Sequence, residues 1–183
     1  MSEPCWKIDA TGSFVSFRVR TGILSEIAGS FSDWSADVVY DPAAPETLSV
    51  EAVARVASLA TGDEDHDRQI RSPECLDAAR FPEVRVRSRS VELLGSTALH
   101  VECALTIGRV TRSTTFLVER YDTPMDMLGG HLVRFTGHTS INRGDWGLAW
   151  RSLPGTTGLF LADRVTLRFE IAAFRAPGGD DVG

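Results

Sequence analysis

The stretch TGDEDHDRQIRSPECLDAARFPEVRVRS, Thr61 to Ser88, runs an acidic turn, one short helical segment and a Phe-Pro step into an alternating strand. Thr61, Asp63, Asp65 and Asp67 suit a turn and a helix N-terminus, because their side chains cap unpaired N–H groups and complement the positive end of the helix dipole. The spacing predicts a short helix or helical turn over Ile70–Leu76, with Pro82 ending the excursion. Val84, Val86 and Ser88 then share one face while Arg85, Arg87 and Arg89 share the other, which is the period of a half-buried strand.

The same period recurs on both sides of this stretch. Val15, Phe17 and Val19 oppose Ser16, Arg18 and Arg20; Ala36, Val38 and Tyr40 oppose Asp37; Val50, Ala52, Ala54 and Val56 oppose Glu51 and Arg55. Further on, Leu99, Val101, Cys103 and Leu105 alternate with His100, Glu102 and Ala104, and Thr114, Phe116 and Val118 alternate with Glu119. Val133, Phe135 and Ile141 lie opposite Arg134 and His138, and Val165, Leu167, Phe169 and Ile171 oppose Thr166, Arg168 and Glu170. About eight strands separated by turn signals, with no helical run long enough for βαβ crossovers, predict an all-β antiparallel barrel or sandwich. The 183 residues fit one domain over 1–175, and the closing APGGDDVG, 176–183, reads as a disordered tail.

Charge and composition narrow the function classes. A formal net charge of −6 with acidic and basic residues interspersed offers no general attraction for nucleic acid or anionic lipid heads. The N-terminus, MSEPCWKIDATGS, lacks a basic region, an apolar core and a cleavage site, and no window is long enough to span a bilayer, so a cytoplasmic protein without a signal peptide is expected. Cys5, Cys75 and Cys103 are odd in number and form no CxxC pair, as reduced thiols would.

Constellations that carry chemistry are few. Asp63, Asp65, Asp67, Ile70 and Glu74 occupy positions of a calcium-loop pattern, but Arg68 stands where the loop needs glycine and Pro73 precedes the last ligand, so the acidic run reads as helix capping. His131 and His138 are seven apart on a strand and face opposite sides, which prevents joint chelation. The sequence holds no nucleophile elbow, zinc-protease helix, phosphate loop or dinucleotide fingerprint, and no cofactor is expected. Cys103 alternates inward as a buried thiol, which leaves Cys75 as the thiol to test for reactivity. Arg143 and Asp145 read as a turn salt bridge or as backbone-bonded turn residues.

The order of motifs resembles the YceI family. Thr61, Gly62, Asp67, Arg71, Ser72, Asp77, Pro82, Val84 and Ser88 match its signature, whereas His66-Asp67-Arg68-Gln69-Ile70 replaces the family's Arg-Asp-x-His-Leu and Cys75-Leu76 its Phe pair. Around them stand Asp9, Gly12-Ser13, Phe17-x-Val19-x-x, Gly29-x-Phe31, Leu105-Thr106-Ile107, Val110-Thr111-Arg112 and Ile141-Asn142-Arg143-Gly144-Asp145-Trp146-Gly147, so the resemblance covers about Trp6 to Phe174. Two family histidines near the first strand are absent here, Gly12 standing in place of the first, and the usual Gly after Leu-Thr-Ile-x is Arg109.

The resemblance implies a lipocalin-like, eight-stranded antiparallel β-barrel with one short helix, binding an amphiphilic lipid with an isoprenoid or polyisoprenoid-type chain as carrier or buffer. It also implies a possible homodimer. Such a barrel can be filled by side chains or hold one slender ligand. Phe17, Val19, Phe31, Val84, Val86, Leu105, Phe116, Phe135, Ile141 and Phe169 are the expected lipid-binding lining, with Trp146 at the mouth. The same residues would serve equally to fill a closed core, in which case the barrel would be an interaction scaffold. A lipid-modifying or hydrolytic enzyme using Cys75 or Asp145 is the remaining alternative. Asn142–Phe160, which carries Trp146, Trp150, Leu153 and Phe160 among glycines and a proline, is the expected mouth, read as a fixed cap with both tryptophans over one end of the barrel ahead of a moving lid.

Overall fold

The computed structural model describes residues 6–22, 24–125, 130–148 and 161–175. Ten strands occur among them: β1 (Lys7–Arg20), β2 (Glu26–Phe31), β3 (Trp34–Val39), β4 (Ser49–Arg55), β5 (Leu59–Ala60), β6 (Glu83–Leu93), β7 (Ala98–Ile107), β8 (Val110–Met125), β9 (Gly130–Asn142) and β10 (Arg164–Arg175). They form one antiparallel sheet in the order β3-β4-β6-β7-β8-β9-β10-β1-β2-β5. The eight alternating runs are all strands. The two additional ones carry weak signals, since β2 has Ala, Gly and Ser at its centre, residues poor in β-propensity, and β5 is two residues long.

The sheet curls until its two edges meet. β2 passes through Ser32 and Asp33 directly into β3, and β4 passes through a 3₁₀ turn, Val56–Ser58, into β5. At this corner Arg55 N donates to Asp33 O (2.8 Å) and Asp33 N to Ser58 Oγ (3.0 Å). Beyond it, β3 pairs only with β4, and Lys7–Phe14 of β1 pairs only with β10, so the sheet is a curled half-barrel rather than a fully laddered cylinder. Trp6 rejoins the two free edges, its Nε1 donating to Tyr40 O at 2.7 Å.

Two irregularities decide which side chains face inward. Asp9 pairs with Ala172 but Phe14 with Glu170, so β1 gains three residues over its partner and its inward set changes from Trp6 and Ile8 to Val15, Phe17 and Val19. The bulge is held by Asp9, whose carboxylate accepts from Thr11 N (3.0 Å) and Thr11 Oγ1 (2.7 Å), and by Ser13, whose Oγ accepts from Ala172 N (2.9 Å). In β6, Ser88 faces Cys103 and Ser90 faces Glu102, and this single extra residue moves the inward set from Val84, Val86 and Ser88 to Val91. The β7–β8 turn is Gly108-Arg109, with Gly108 at φ +61°; positive φ at the first central position is the type II′ pattern, which accounts for glycine standing one place before Arg109.

The helix expected over Ile70–Leu76 lies instead at α1 (Glu64–Arg71), followed by a turn. Asp63 begins it, its carboxylate accepting from Asp65 N (2.9 Å) and His66 N (3.0 Å). Asp67 is buried and accepts from both Thr61 N and Thr61 Oγ1 at 2.7 Å, while Arg71 Nη2 donates to Leu59 O. These bonds fasten α1 to β5, with Ile70 turned inward. The acidic run is therefore spent on capping and fastening the helix.

Candidate functional site

The buried apolar residues divide into three clusters instead of one. Trp6, Val38, Tyr40, Leu99, Val101, Phe116, Val133 and Phe135 pack at one end. Phe17, Val19, Ile27, Leu59, Ile70 and Leu161 pack under α1, and Leu105, Ile107, Ile141 and Trp146 pack beside the β7–β8 turn. Leu167 touches all three. Between them lies a cavity of about 220 Å³, room for many times the space a single water needs. All ten strands contribute to a wall that is almost wholly apolar.

Of the residues expected to line a lumen, Phe17, Val19, Phe31, Val84, Val86, Leu105, Phe116, Phe135, Ile141 and Phe169 all stand on this wall. Trp146 does not. It is 6% exposed, packs with Leu105, Ile107 and Ile141, and donates from Nε1 to Leu105 O (3.2 Å), a position behind the wall. The wall also includes Val38, Val101, Val118, Val165 and Ile171, which the same alternation marks as inward. Leu59 of the two-residue β5, Ile70 of α1, and Leu76 and Leu148 outside the regular elements join it from segments where no strand period points to them. Trp150, Leu153 and Phe160 of the expected mouth, and the expected tail 176–183, fall outside the described residues.

Next to Phe135 of the wall, the fully buried Tyr40 is set in aromatics. Tyr40 lies edge-on to Phe135 (5.1 Å between centroids) and tilted against Trp6 (5.6 Å). Its hydroxyl donates to Asp122 Oδ1 (3.0 Å) and accepts from Arg120 Nη1 (2.7 Å), while Arg120 Nη2 donates to Ser96 O (2.9 Å). Burial, reinforced by the Asp122 carboxylate, pushes the Tyr40 hydroxyl up to about 12.

Arg143, on the wall and 4% exposed, organises the turn after β9. Its Nη1 donates to Leu148 O (2.8 Å), Nε to Ala162 O (3.1 Å), and Nη2 to Leu161 O (3.3 Å) and Asp163 Oδ1 (3.1 Å). Of the two expected roles for Arg143 and Asp145, a turn salt bridge or backbone bonds, the second holds: the 3₁₀ turn Arg143–Trp146 turns the guanidinium inward onto backbone oxygens and leaves Asp145 exposed. The Asp145 backbone oxygen instead accepts from Arg112 Nε (3.0 Å). Sequence spacing carries no signal for a buried arginine that ties residues 148 and 161–163 together.

Groups suited to covalent chemistry are sparse on the wall. Cys103 is there, 3% exposed, and burial foremost, with the Glu102 charge adding, pushes its thiol up to about 11, far from a nucleophilic thiolate at neutral pH. Cys75 sits half-buried in the turn after α1. Among the described residues, no three or more His, Cys, Asp or Glu side chains converge on a metal position, and no helix is long and apolar enough to cross a membrane.

Comparison with known proteins agrees with this geometry. A "UPF0312 protein" of Pseudomonas savastanoi pv. phaseolicola is 31% identical over 152 residues, covering 82% of this chain and 78% of the relative. Another from Pseudomonas fluorescens is 30% identical over 145 residues, covering 78% and 76%. Among solved structures, Burkholderia cenocepacia BcnA superposes with a TM-score of 0.78 at 23% identity over 91% of this chain and 99% of that one. A polyisoprenoid binding domain from Saccharophagus degradans, implicated in plant cell wall breakdown, superposes with a TM-score of 0.65 at 15% identity over 94% and 99%, and so shares the fold. The profile of the YceI-like domain matches residues 6–173, nearly every strand and the whole cavity wall, and the chain belongs to that family.

Proposed function

We propose that the protein holds the hydrocarbon chain of an amphiphilic lipid, of isoprenoid or polyisoprenoid type, inside the curled sheet and acts as its carrier or buffer without covalent chemistry. The observation that carries this reading is the apolar cavity of about 220 Å³ lined by residues of all three hydrophobic clusters, a space that side chains merely filling a core would not leave. Phe17, Val19, Phe31, Val84, Val86, Leu105, Phe116, Phe135, Ile141 and Phe169 are the contacts. The polyisoprenoid binding domain that shares the fold supports the choice of chain.

Energetics favour such a ligand. Each buried methylene contributes about 0.8 kcal/mol, so a five-carbon isoprene unit contributes about 4 kcal/mol before ordering costs. Two or three enclosed units suffice for tight binding with few polar contacts. Of the residues an enzymatic alternative would use, Cys75 is not on this wall and Asp145 is solvent-exposed, while the one thiol on the wall, Cys103, is held protonated, which supports carriage over turnover.

Trp34 stands on the wall and reports on its contents. Titration with a brominated isoprenoid alcohol is expected to quench tryptophan emission saturably at one chain per protein, with a smaller response in Trp34→Phe. Quenching that never saturates, or that is identical in Trp34→Phe, would count against a chain in the cavity.

A further inference from the structure

Two of the phenylalanines on the wall lie directly over glycines on the neighbouring strand. Phe17 of β1 is paired with Gly29 of β2, and Phe169 of β10 with Gly137 of β9. In each pair both residues face the cavity, Phe17 and Phe169 as wall residues and the glycines by register. A Cβ built on Gly29 would fall 2.5 Å from Phe17 Cε1 and Cζ, and one built on Gly137 would fall 2.3 Å from Phe169 Cζ and 2.4 Å from Cε1. Real Cβ atoms do not approach ring carbons so closely. The rings thus occupy the space that a side chain on the neighbouring strand would fill, and lie back against the sheet instead of projecting across the lumen.

Each of these rings then meets one further phenylalanine. Phe17 and Phe31 are tilted at 58° with centroids 6.2 Å apart, and Phe116 and Phe169 at 54° with centroids 5.8 Å apart. The four rings stand as two pairs on the cavity wall, and the room beside each pair depends on how far Phe17 and Phe169 can recline. An unbranched chain is narrow. An isoprenoid chain carries a methyl group on every fourth carbon of its main chain and needs a wider passage.

Resting on the chain-carrier reading above, we propose that Gly29 and Gly137 are the specificity-determining residues of the lumen. By letting Phe17 and Phe169 lie flat on the wall, they set a bore that admits a methyl-branched chain. A methyl group at either position drives the ring into the passage and leaves room only for an unbranched chain.

The test compares geranylgeraniol with hexadecanol, which has the same main-chain length without the methyl branches, by calorimetric titration. Wild-type protein is expected to bind geranylgeraniol. Gly137→Ala is expected to weaken it by about ten-fold or more while hexadecanol changes far less, since overpacking acts on the wider ligand. Gly137→Ala/Phe169→Leu, which removes the displaced ring, restores geranylgeraniol. Gly29→Ala and Gly29→Ala/Phe17→Leu form an independent pair, so failure of one glycine variant to fold leaves the other to decide. Geranylgeraniol affinity unchanged in the folded glycine variants, or equal loss of both alcohols that the leucine variants do not rescue, overturns the assignment while the carrier reading stands. Wild-type protein that binds neither alcohol overturns both.

Discussion

Arg143 is the residue on which the α1 end of the cavity depends most. Its guanidinium satisfies the backbone oxygens of Leu148, Leu161 and Ala162 from a position with 4% exposure, so removing it strands several buried acceptors at once. Arg143→Met is expected to cost about 3 kcal/mol of unfolding free energy in a denaturant titration, and Arg143→Lys less, since a lysine keeps one donor and the charge. Two buried weak acids set the alkaline limit. Folding raises Cys103 from 9.0 to about 11 and Tyr40 from 10.0 to about 12, so the folded state favours their neutral forms. That stability is complete below about pH 9 and is lost as pH rises through this range, because the unfolded chain ionises first. Thermal melts should show Tm falling from pH 9 upward, and Cys103→Ala should flatten the part of the fall nearest pH 9 to 11. Alternation in the sequence identified the inward side chains of the wall well, Cys103 included. It could not reveal Arg143, because its partners are backbone oxygens brought together only by the turn after β9.

At the scale of the element, the helix rests on its first residue's neighbour. Hydrogen bonds to the Asp63 carboxylate, from His66 N–H foremost and also from Asp65 N–H, hold it below the usual carboxylate range. The stability this gives is present above the unfolded value and disappears as pH falls through the folded one. Asp63→Ala should lower Tm by about 2–4 °C at neutral pH, with Asp63→Asn retaining most of it, and the difference between wild type and Asp63→Ala should shrink in acid. The acidic run announced a helix start correctly, yet the helix begins at Glu64 and ends where the sequence reading placed its body. Pro73 explains this, since the residue before proline is driven out of helical conformation and the helix must finish by Arg71. Strand faces were legible until a bulge reversed them, as in β6 after Ser88 and β1 before Phe14, where an odd number of extra residues exchanges the inward and outward sets. β2 escaped detection because Gly29 makes it a poor strand by propensity, although that glycine is what Phe17 lies on.

For the whole molecule, the unusual property is a curled sheet whose interior is lined but not filled. Close-packed interiors leave few voids larger than a water molecule, and this one keeps about 220 Å³ between three clusters. A period-two pattern shows only that side chains face inward, whatever lies between them, so an open lumen and a filled core were indistinguishable before the strands were placed in space. Four phenylalanines stand on the wall, two of them folded back on glycines, and Tyr40, hydrogen-bonded to Arg120 and Asp122, packs against Phe135 of the same wall. A chain that binds only the folded state stabilises it by mass action, so loading should also raise Tm with ligand concentration. The most direct measurement is native mass spectrometry of protein purified without detergent and then exposed to geranylgeraniol. One added chain per protein, retained under gentle ionisation and recovered by solvent extraction, is the result expected; protein that stays at its bare mass throughout would contradict the account.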